Sequence, residues 1–300
     1  GQIDAGCGVM DSFDLIVFGH LSKDENIALG EVEHAVGGAV VYASIAARRI
    51  GARVLAVTKL HSDDEATLDV FTRHDVPVRR RPSTRTTSIR NTYHTTDRER
   101  RTCEALGQAD PFTASDAPED ATAACWYLGG LMRGEFPEAF LRDMAARGPI
   151  AVDMQGFLRV NEGGAMVFRD WAEKRACIPL IHYLKVDAAE AETLTGYADR
   201  EQAACTLCDW GANEVVLTHN TEVLVCAGGA VHRAPFTARS LSGRTGRGDT
   251  SFAAYCFWRL THDAETACRF AAALTSLKME TPGPFQGDLA VVEQAIRERY

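Results

Sequence analysis

The stretch GRTGRGDTSF, residues 243–252, sets Gly246, Arg247, Gly248 and Asp249 as a tight turn running straight into an apolar helical pattern. Phe252, Cys256 and Leu260 recur at i, i+4 and i+8 with Ala253 and Phe257 beside them, the stripe of a helix that buries one face. At such a start the first backbone N–H groups lack intrahelical partners. Together with the helix dipole they favour an anion in the space before them, and a phosphate group fits there. Taken alone, this stretch leaves Asp249 with two roles: a helix cap worth about 1 kcal/mol, or a carboxylate placed beside a bound anion. Arg247-Gly248-Asp249 also spells an adhesion tripeptide, a coincidence given the cysteine pattern below.

Working outward, short β-branched runs alternate with longer helical patterns from Phe13 onward. This is the signature of βαβ units and a mostly parallel sheet covered on both faces. Strands are predicted at 14–19, 53–59, 125–130, 150–153, 182–187 and 214–218. Helices are predicted at 39–50, 63–74, 136–147, 163–175, 188–195 and 199–210, with a helical C-terminal third at 249–261, 264–278 and 288–298. Two stretches break the rhythm, 26–36 and 85–106. In the second, TTSIRNTY and RRTCEAL flank the polar turn His94 to Glu99 like a hairpin, so a small separate sheet is expected.

Three hundred residues, 46% hydrophobic and 24% charged, match a folded globular chain and exclude disorder, collagen and coiled coil. That length suits two domains or one large α/β unit with an insertion. The net charge of −9 argues against a general nucleic-acid or membrane-surface binder, and no apolar run is long enough to span a bilayer. Nine scattered cysteines in apolar surroundings read as reduced core residues of a cytoplasmic protein. Residues 1–10 carry no signal-peptide pattern and are set aside, with Met10 a candidate start. Against the acidic whole, Arg79, Arg80, Arg81, Arg85, Arg90, Arg98, Arg100 and Arg101 face only Asp97 and Glu99, a local charge of +6. This is either a solvated edge that discourages strand pairing or an electrostatic surface for a phosphate, an acidic substrate or another polyanion.

Near the N-terminus the first strand ends in GHLSKDEN, residues 19–26, and Gly37-Gly38 open the next helix. Asp24 is a turn residue or an acceptor for ligand hydroxyls, and the glycine pair permits close backbone approach. Asp187 and Glu190, three apart at a strand-to-helix junction, share one helical face. Their carboxylates suit a helix N-terminus or a hydrated metal ion. Asp153, Gln155, Gly156 and Arg159 follow a strand end, where open α/β sheets bind ligands.

In this order, Asp24, Gly37-Gly38, the broken hairpin region, Asp187-Ala-Ala-Glu190 with Leu-Thr-Gly, and the glycine turn ending in Asp249 resemble the ribokinase-like (PfkB) carbohydrate kinases from residue 13 onward. The resemblance implies a three-layer α/β domain over 13–300 with an inserted β lid at 26–36 and 85–106. It implies transfer of the γ-phosphate of ATP to a hydroxyl of a small sugar or cyclitol. Gly246, Arg247, Gly248 and Asp249 would form the anion hole, with Asp249 as the general base. Asp24, Gly37, Gly38, Asp153, Gln155 and Arg159 would bind the polyol, and Thr218, Asn220 and Gly248 the nucleotide. Asp187 and Glu190, similar to the family's Asn-x-x-Glu, would hold Mg²⁺ through water. Where many members show Asp-x-Asn-x-Arg, this chain has the Gln-Gly form with Arg159, more like inositol-kinase-type members, and an inositol-like substrate is favoured. A homodimer through the lid is a further expectation.

Three departures stand out. Gly243 occupies the place of the signature's first Asp, leaving monovalent-cation activation open. Arg247 replaces a small residue, and Thr218-His219-Asn220-Thr221 replaces Thr-x-Gly-x-x-Gly. A nucleoside kinase of the same family and a non-catalytic sugar or nucleotide sensor are the alternatives. No GxxxxGK[ST], no GxGxxG after the first strand and no HExxH occurs, and Cys205-x-x-Cys208 has no second pair.

Overall fold

Strands whose successive side chains are all apolar need cover on both faces. The computed structural model describes residues 10–95, 101–243 and 245–300. Its strands are β1 (Asp11–Phe18), β2 (Ser22–Ala28), β3 (Glu31–Gly37), β4 (Val54–Leu60), β5 (Val78–Pro82), β6 (Thr87–Tyr93), β7 (Arg101–Gly107), β8 (Ala121–Leu128), β9 (Ile150–Asp153), β10 (Arg159–Glu162), β11 (Ala165–Phe168), β12 (Tyr183–Asp187), β13 (Glu214–Thr218), β14 (Glu222–Ala227) and β15 (Ala230–Pro235). The α-helices are α1 (Ala39–Arg49), α2 (Asp69–Arg73), α3 (Glu138–Arg147), α4 (Gln155–Leu158), α5 (Lys174–Cys177), α6 (Ala188–Thr195), α7 (Arg200–Asp209), α8 (Arg247–Arg259), α9 (Ala264–Met279) and α10 (Leu289–Arg299).

Nine strands form one sheet in the order β15-β14-β13-β12-β9-β8-β1-β4-β5. The seven from β13 to β5 are parallel, and β14 and β15 close one edge antiparallel. Period-two alternation feeds two cores. Leu15 and Val17 of β1 pack with Val41 of α1, Phe252 of α8 and Phe270 of α9, while Ile16 and Phe18 pack with Phe140 of α3, Leu194 of α6 and Leu207 of α7. The architecture is thus the expected three-layer α/β fold. Phe252 is fully buried with its ring 5.1 Å from that of Tyr127, so it fixes α8 against the sheet. No helix among the described residues is long and apolar enough to cross a membrane.

A second sheet of six strands, β10-β11-β7-β6-β2-β3, is antiparallel except for the β2–β6 pair. It contains an element that the sequence pattern assigned otherwise. The helix predicted over 163–175 is instead the turn and second strand of the hairpin β10–β11, with Arg159 opposite Phe168 and Glu162 opposite Ala165, and helix begins only at Lys174. Gly163 and Gly164, at φ 60° and 97°, make the two-residue turn that a helix does not tolerate. Strands β5, β14 and β15 were not predicted, and half of 63–74 lies in a 3₁₀ segment, Ser62–Leu68, before the short α2.

The arginine-rich stretch is divided by the fold. Arg79 pairs with Asp120 and Arg80 with Glu65, Arg81 donates to the Asp116 carbonyl, and Arg90 in the second sheet pairs with Glu25 and Glu104. Most of the predicted polar turn, with Asp97, Arg98, Glu99 and Arg100, lies outside the described residues. Cys205 has its sulfur 3.7 Å from that of Cys226, and Cys208 donates to the Cys226 carbonyl. No group of three or more His, Cys, Asp or Glu among the described residues forms a direct metal cage.

Candidate active site

The carboxyl ends of the parallel strands deliver Asp153 from β9, Asp187 from β12 and Thr218 from β13, with Asp187 and Thr218 paired in register. Over them stands the start of α8. Its cap is Gly246 at φ 80°, without a capping side chain. Asp249 is therefore not the cap but a member of the first turn, beside the amides of Gly246, Arg247 and Gly248. A side chain at Gly246 would run into the Tyr42 ring of α1.

Burial pushes the Asp249 carboxyl up to about 7. The neighbouring Asp153 carboxylate, in hydrogen-bond contact, adds to the rise, whereas Lys185 and Arg159 pull it down. A carboxyl balanced near neutrality is suited to exchanging a proton with a substrate hydroxyl.

Lys185, in the middle of β12, is 4% exposed. Burial opposes its charge, yet Asp153, Glu190, Asp187 and Asp249 more than offset this and hold the ammonium protonated. Its Nζ lies 3.0 Å from where a Cβ would stand on Gly248, so the cation abuts the glycine turn. Sequence reasoning missed it. The available signal was a lone lysine inside the otherwise apolar stretch Tyr183-Leu184-Lys185-Val186.

Asp187 and Glu190 form a reciprocal cap of α6: Asp187 Oδ1 accepts from the Glu190 N–H at 2.7 Å and Glu190 Oε1 from the Asp187 N–H at 2.8 Å. Burial, reinforced by Asp187, raises the Glu190 carboxyl to about 8. The carboxyls of Asp153, Asp187, Glu190 and Asp249 thus share the cations Lys185 and Arg159. The oxygen donors of Asp187 and Glu190 suit a hard divalent cation such as Mg²⁺, which would be held through water because both side chains are turned toward backbone donors.

Toward the second sheet, Asp24 of β2 has a buried Oδ1 with no hydrogen-bond partner. Burial raises its carboxyl to about 6, against a hydrogen bond from Ser22 and the charge of Arg101. A Cβ on Gly37 would sit 2.5 Å from Asp24 Oδ2, which is why the glycine pair is needed here. Gly38 then caps α1, the helix that carries Tyr42. Tyr42 lies within electrostatic reach of both Asp24 and Asp249 and links the two halves of the site. Arg159 faces Asp153, Glu190 and Arg101, and the Gln155 N–H donates to Asp153 Oδ1 at 3.1 Å. Arg247 reaches back to Asn220 Oδ1 at 3.3 Å, joining the glycine turn to the loop after the buried Thr218. A cavity of about 960 Å³ lined by Cys205, Cys208 and Cys226 opens at the opposite end of the strands and holds none of these residues.

Residues 9–287 match the model of the pfkB family carbohydrate kinases. No curated protein matches the chain in a sequence search. Among solved structures, a pyrophosphate-dependent kinase of the ribokinase family, complexed with a pyrophosphate analog and myo-inositol, is 35% identical, with 93% of this chain and 99% of that one covered and a TM-score of 0.85. A pyrophosphate-dependent myo-inositol-1 kinase converted into a myo-inositol-3 kinase is 34% identical over 95% of this chain and 99% of its own, with a TM-score of 0.86. The ribokinase of Arabidopsis thaliana, complexed with ribose and ATP, shares the fold at 16% identity, with a TM-score of 0.75 and coverage of 95% and 99%.

Proposed function

The chain belongs to the pfkB family of carbohydrate kinases, and from that premise we propose that it phosphorylates a hydroxyl of an inositol-like cyclitol, with pyrophosphate as the favoured donor. The observation that carries this reading is Asp249: a carboxyl raised to about 7, in the first turn of α8, with the Lys185 ammonium against Gly248 beside it. Support for pyrophosphate over ATP comes from similarity. The relatives at 34–36% identity are named for that donor, whereas the neighbour complexed with ribose and ATP is 16% identical. The absence of Thr-x-Gly-x-x-Gly after β13 agrees with a donor that has no base to hold.

In this mechanism Asp24, Asp153 and Arg159 hold and orient the polyol, with Gln155, Gly37 and Gly38 shaping the wall. The substrate hydroxyl loses its proton to Asp249 as its oxygen attacks phosphorus. The bond from that phosphorus to the bridging oxygen breaks, and inorganic phosphate leaves. The amides of Gly246, Arg247 and Gly248, together with Lys185, hold the charge that develops on the transferring group. Mg²⁺ held through water by Asp187 and Glu190 would neutralise donor charge. The second sheet, standing over the acceptor side, would exclude water that competes for the phosphoryl group.

Phosphate release over a panel of cyclitols, sugars and nucleosides, with pyrophosphate or ATP, tests the reading. Turnover with myo-inositol and pyrophosphate, reduced about 10²- to 10⁴-fold in Asp249→Asn, is expected. Wild-type protein that binds polyol but turns over no donor would establish the sensor alternative, and turnover with ATP alone would reassign the donor.

A further inference from the structure

A second lysine, distant in sequence from the site residues above, is buried beneath the glycine turn. Lys278, at the end of α9, is 1% exposed, and its Nζ donates to the Gly243 carbonyl at 2.8 Å. The Gly243 N–H in turn donates to the Met279 carbonyl at 2.8 Å, and Ser240 and Ser242 Oγ donate to the Glu280 carbonyl at 3.2 and 2.9 Å. The loop that leads into α8 is therefore stitched to the last turn of α9. A side chain on Gly243 would strike the Thr281 carbonyl, so the two backbones meet directly.

The ammonium also lies 5.7 Å from the centroid of the Tyr42 ring, the same ring that Gly246 abuts. Lys278 thus reaches the turn by two routes, through a carbonyl at its beginning and through an aromatic face packed on its cap. Burying an ammonium without a carboxylate in hydrogen-bond contact is costly, and packing alone would be served by methionine. No hydrogen bond from Lys278 to a carboxylate exists among the described residues; the charged group it senses is Asp249.

We propose that Lys278 is a positioning residue of the phosphoryl-transfer site, a cation supplied by the chain that holds Gly243 and, through Tyr42, Gly246, so that the amides of Gly246, Arg247 and Gly248 are aligned for the donor phosphate. The proposal rests on the phosphotransferase reading. The titratable groups that face Lys278 are Tyr42 from α1 and Asp249 from α8. Glu280, on its own helix, is turned toward the Arg239 N–H and Arg299. Burial lowers the Lys278 ammonium to about 8, with Asp249 acting in the opposite sense, so the charge beneath the turn is lost as pH rises through that value. Donor affinity then weakens on the alkaline side.

The test uses the full chain with Lys278→Met and Lys278→Arg, and pyrophosphate and myo-inositol as substrates. Lys278→Met is expected to raise the KM for pyrophosphate on the order of tenfold to a hundredfold, the factor carried by a hydrogen bond to a charged group. The KM for myo-inositol should stay within about twofold, since no contact to the polyol is removed. Lys278→Arg should recover most of the donor affinity and move the alkaline limb to higher pH, because guanidinium does not titrate there. Sulfate, which does not titrate between pH 7 and 9, serves as an anion probe in calorimetry. Its affinity for the wild type should fall across that interval. Unchanged pyrophosphate KM and alkaline limb in a folded Lys278→Met protein would overturn the proposal, as would pH-independent sulfate binding by the wild type. Sulfate binding needs no turnover. A wild type inactive with every donor, yet losing sulfate affinity on the Lys278→Met change, would refute the function while sustaining the positioning role.

Discussion

Replacing Lys185 by Met tests the electrostatics of the site most directly. Lys185 and Arg159 are the cations that pull the Asp249 carboxyl down toward about 7. An opposite charge within about 4–6 Å moves a carboxyl by roughly 1–3 units, so removing one of two such cations should lift Asp249 by about one unit or more. If Asp249 must be ionised to accept the hydroxyl proton, wild-type kcat falls as pH drops below about 7. In Lys185→Met that acid limb should shift upward to about 8. At pH 7 the ionised fraction then drops from roughly a half to roughly a tenth, about a fivefold loss from protonation alone. Loss of an ammonium beside Gly248 should raise the donor KM by a further tenfold or more, roughly. The assay is initial-rate phosphate release from pH 5.5 to 9.5 at saturating and limiting pyrophosphate. Circular dichroism must accompany it, because leaving the buried carboxylates short of a partner costs about 3–5 kcal/mol. A folded Lys185→Met enzyme with its acid limb still near 7 and an unchanged donor KM would refute the placement of this lysine in the chemistry.

Further outcomes follow from the same geometry. The Asp249 carboxyl is raised in the folded state from its ordinary 3.8 to about 7. The folded state thus bears a penalty that is full above pH 7 and vanishes below about pH 4, so Asp249→Asn should be the more stable protein at pH 8, by at most roughly 4 kcal/mol. Thermal melts at pH 8 and pH 5 should show that gap shrinking with acid, and a constant gap would exclude a raised carboxyl. Gly37→Ala should raise the polyol KM far more than the donor KM, since its Cβ would displace the Asp24 carboxylate; equal effects on both constants would argue against Asp24 as a polyol ligand. Phe252→Ala should cost about 3–5 kcal/mol in urea unfolding, and a loss under 1 kcal/mol, roughly, would mean that α8 is not anchored through that ring.

The sequence pattern reached the central sheet because its parallel strands are bounded β-branched runs: 150–153 and 214–218 coincide with β9 and β13. It misassigned 163–175 because Ala165, Met166, Val167 and Phe168 suit either element, and the decisive feature was the Gly163-Gly164 turn. The unpredicted β14–β15 hairpin turns on a similar pair, Gly228-Gly229. In the site, residues carried by chain order, such as Asp153, Asp187 and Asp249, were legible. Lys185 and Lys278 were not, because a lysine in a strand or at a helix end ordinarily snorkels to solvent. Only the tertiary packing of α8 and α9 over the strand ends reveals that both are enclosed.

Strand β3 ends at Gly37 and α1 begins at Ala39, leaving Gly38 as the sole joint between them. At φ 106° that joint is in a conformation glycine alone adopts readily, and a Cβ on it would stand 2.7 Å from the His20 carbonyl. The covalent path from the acceptor-side sheet to the helix whose Tyr42 ring abuts Gly246 therefore runs through one residue with no slack on either side.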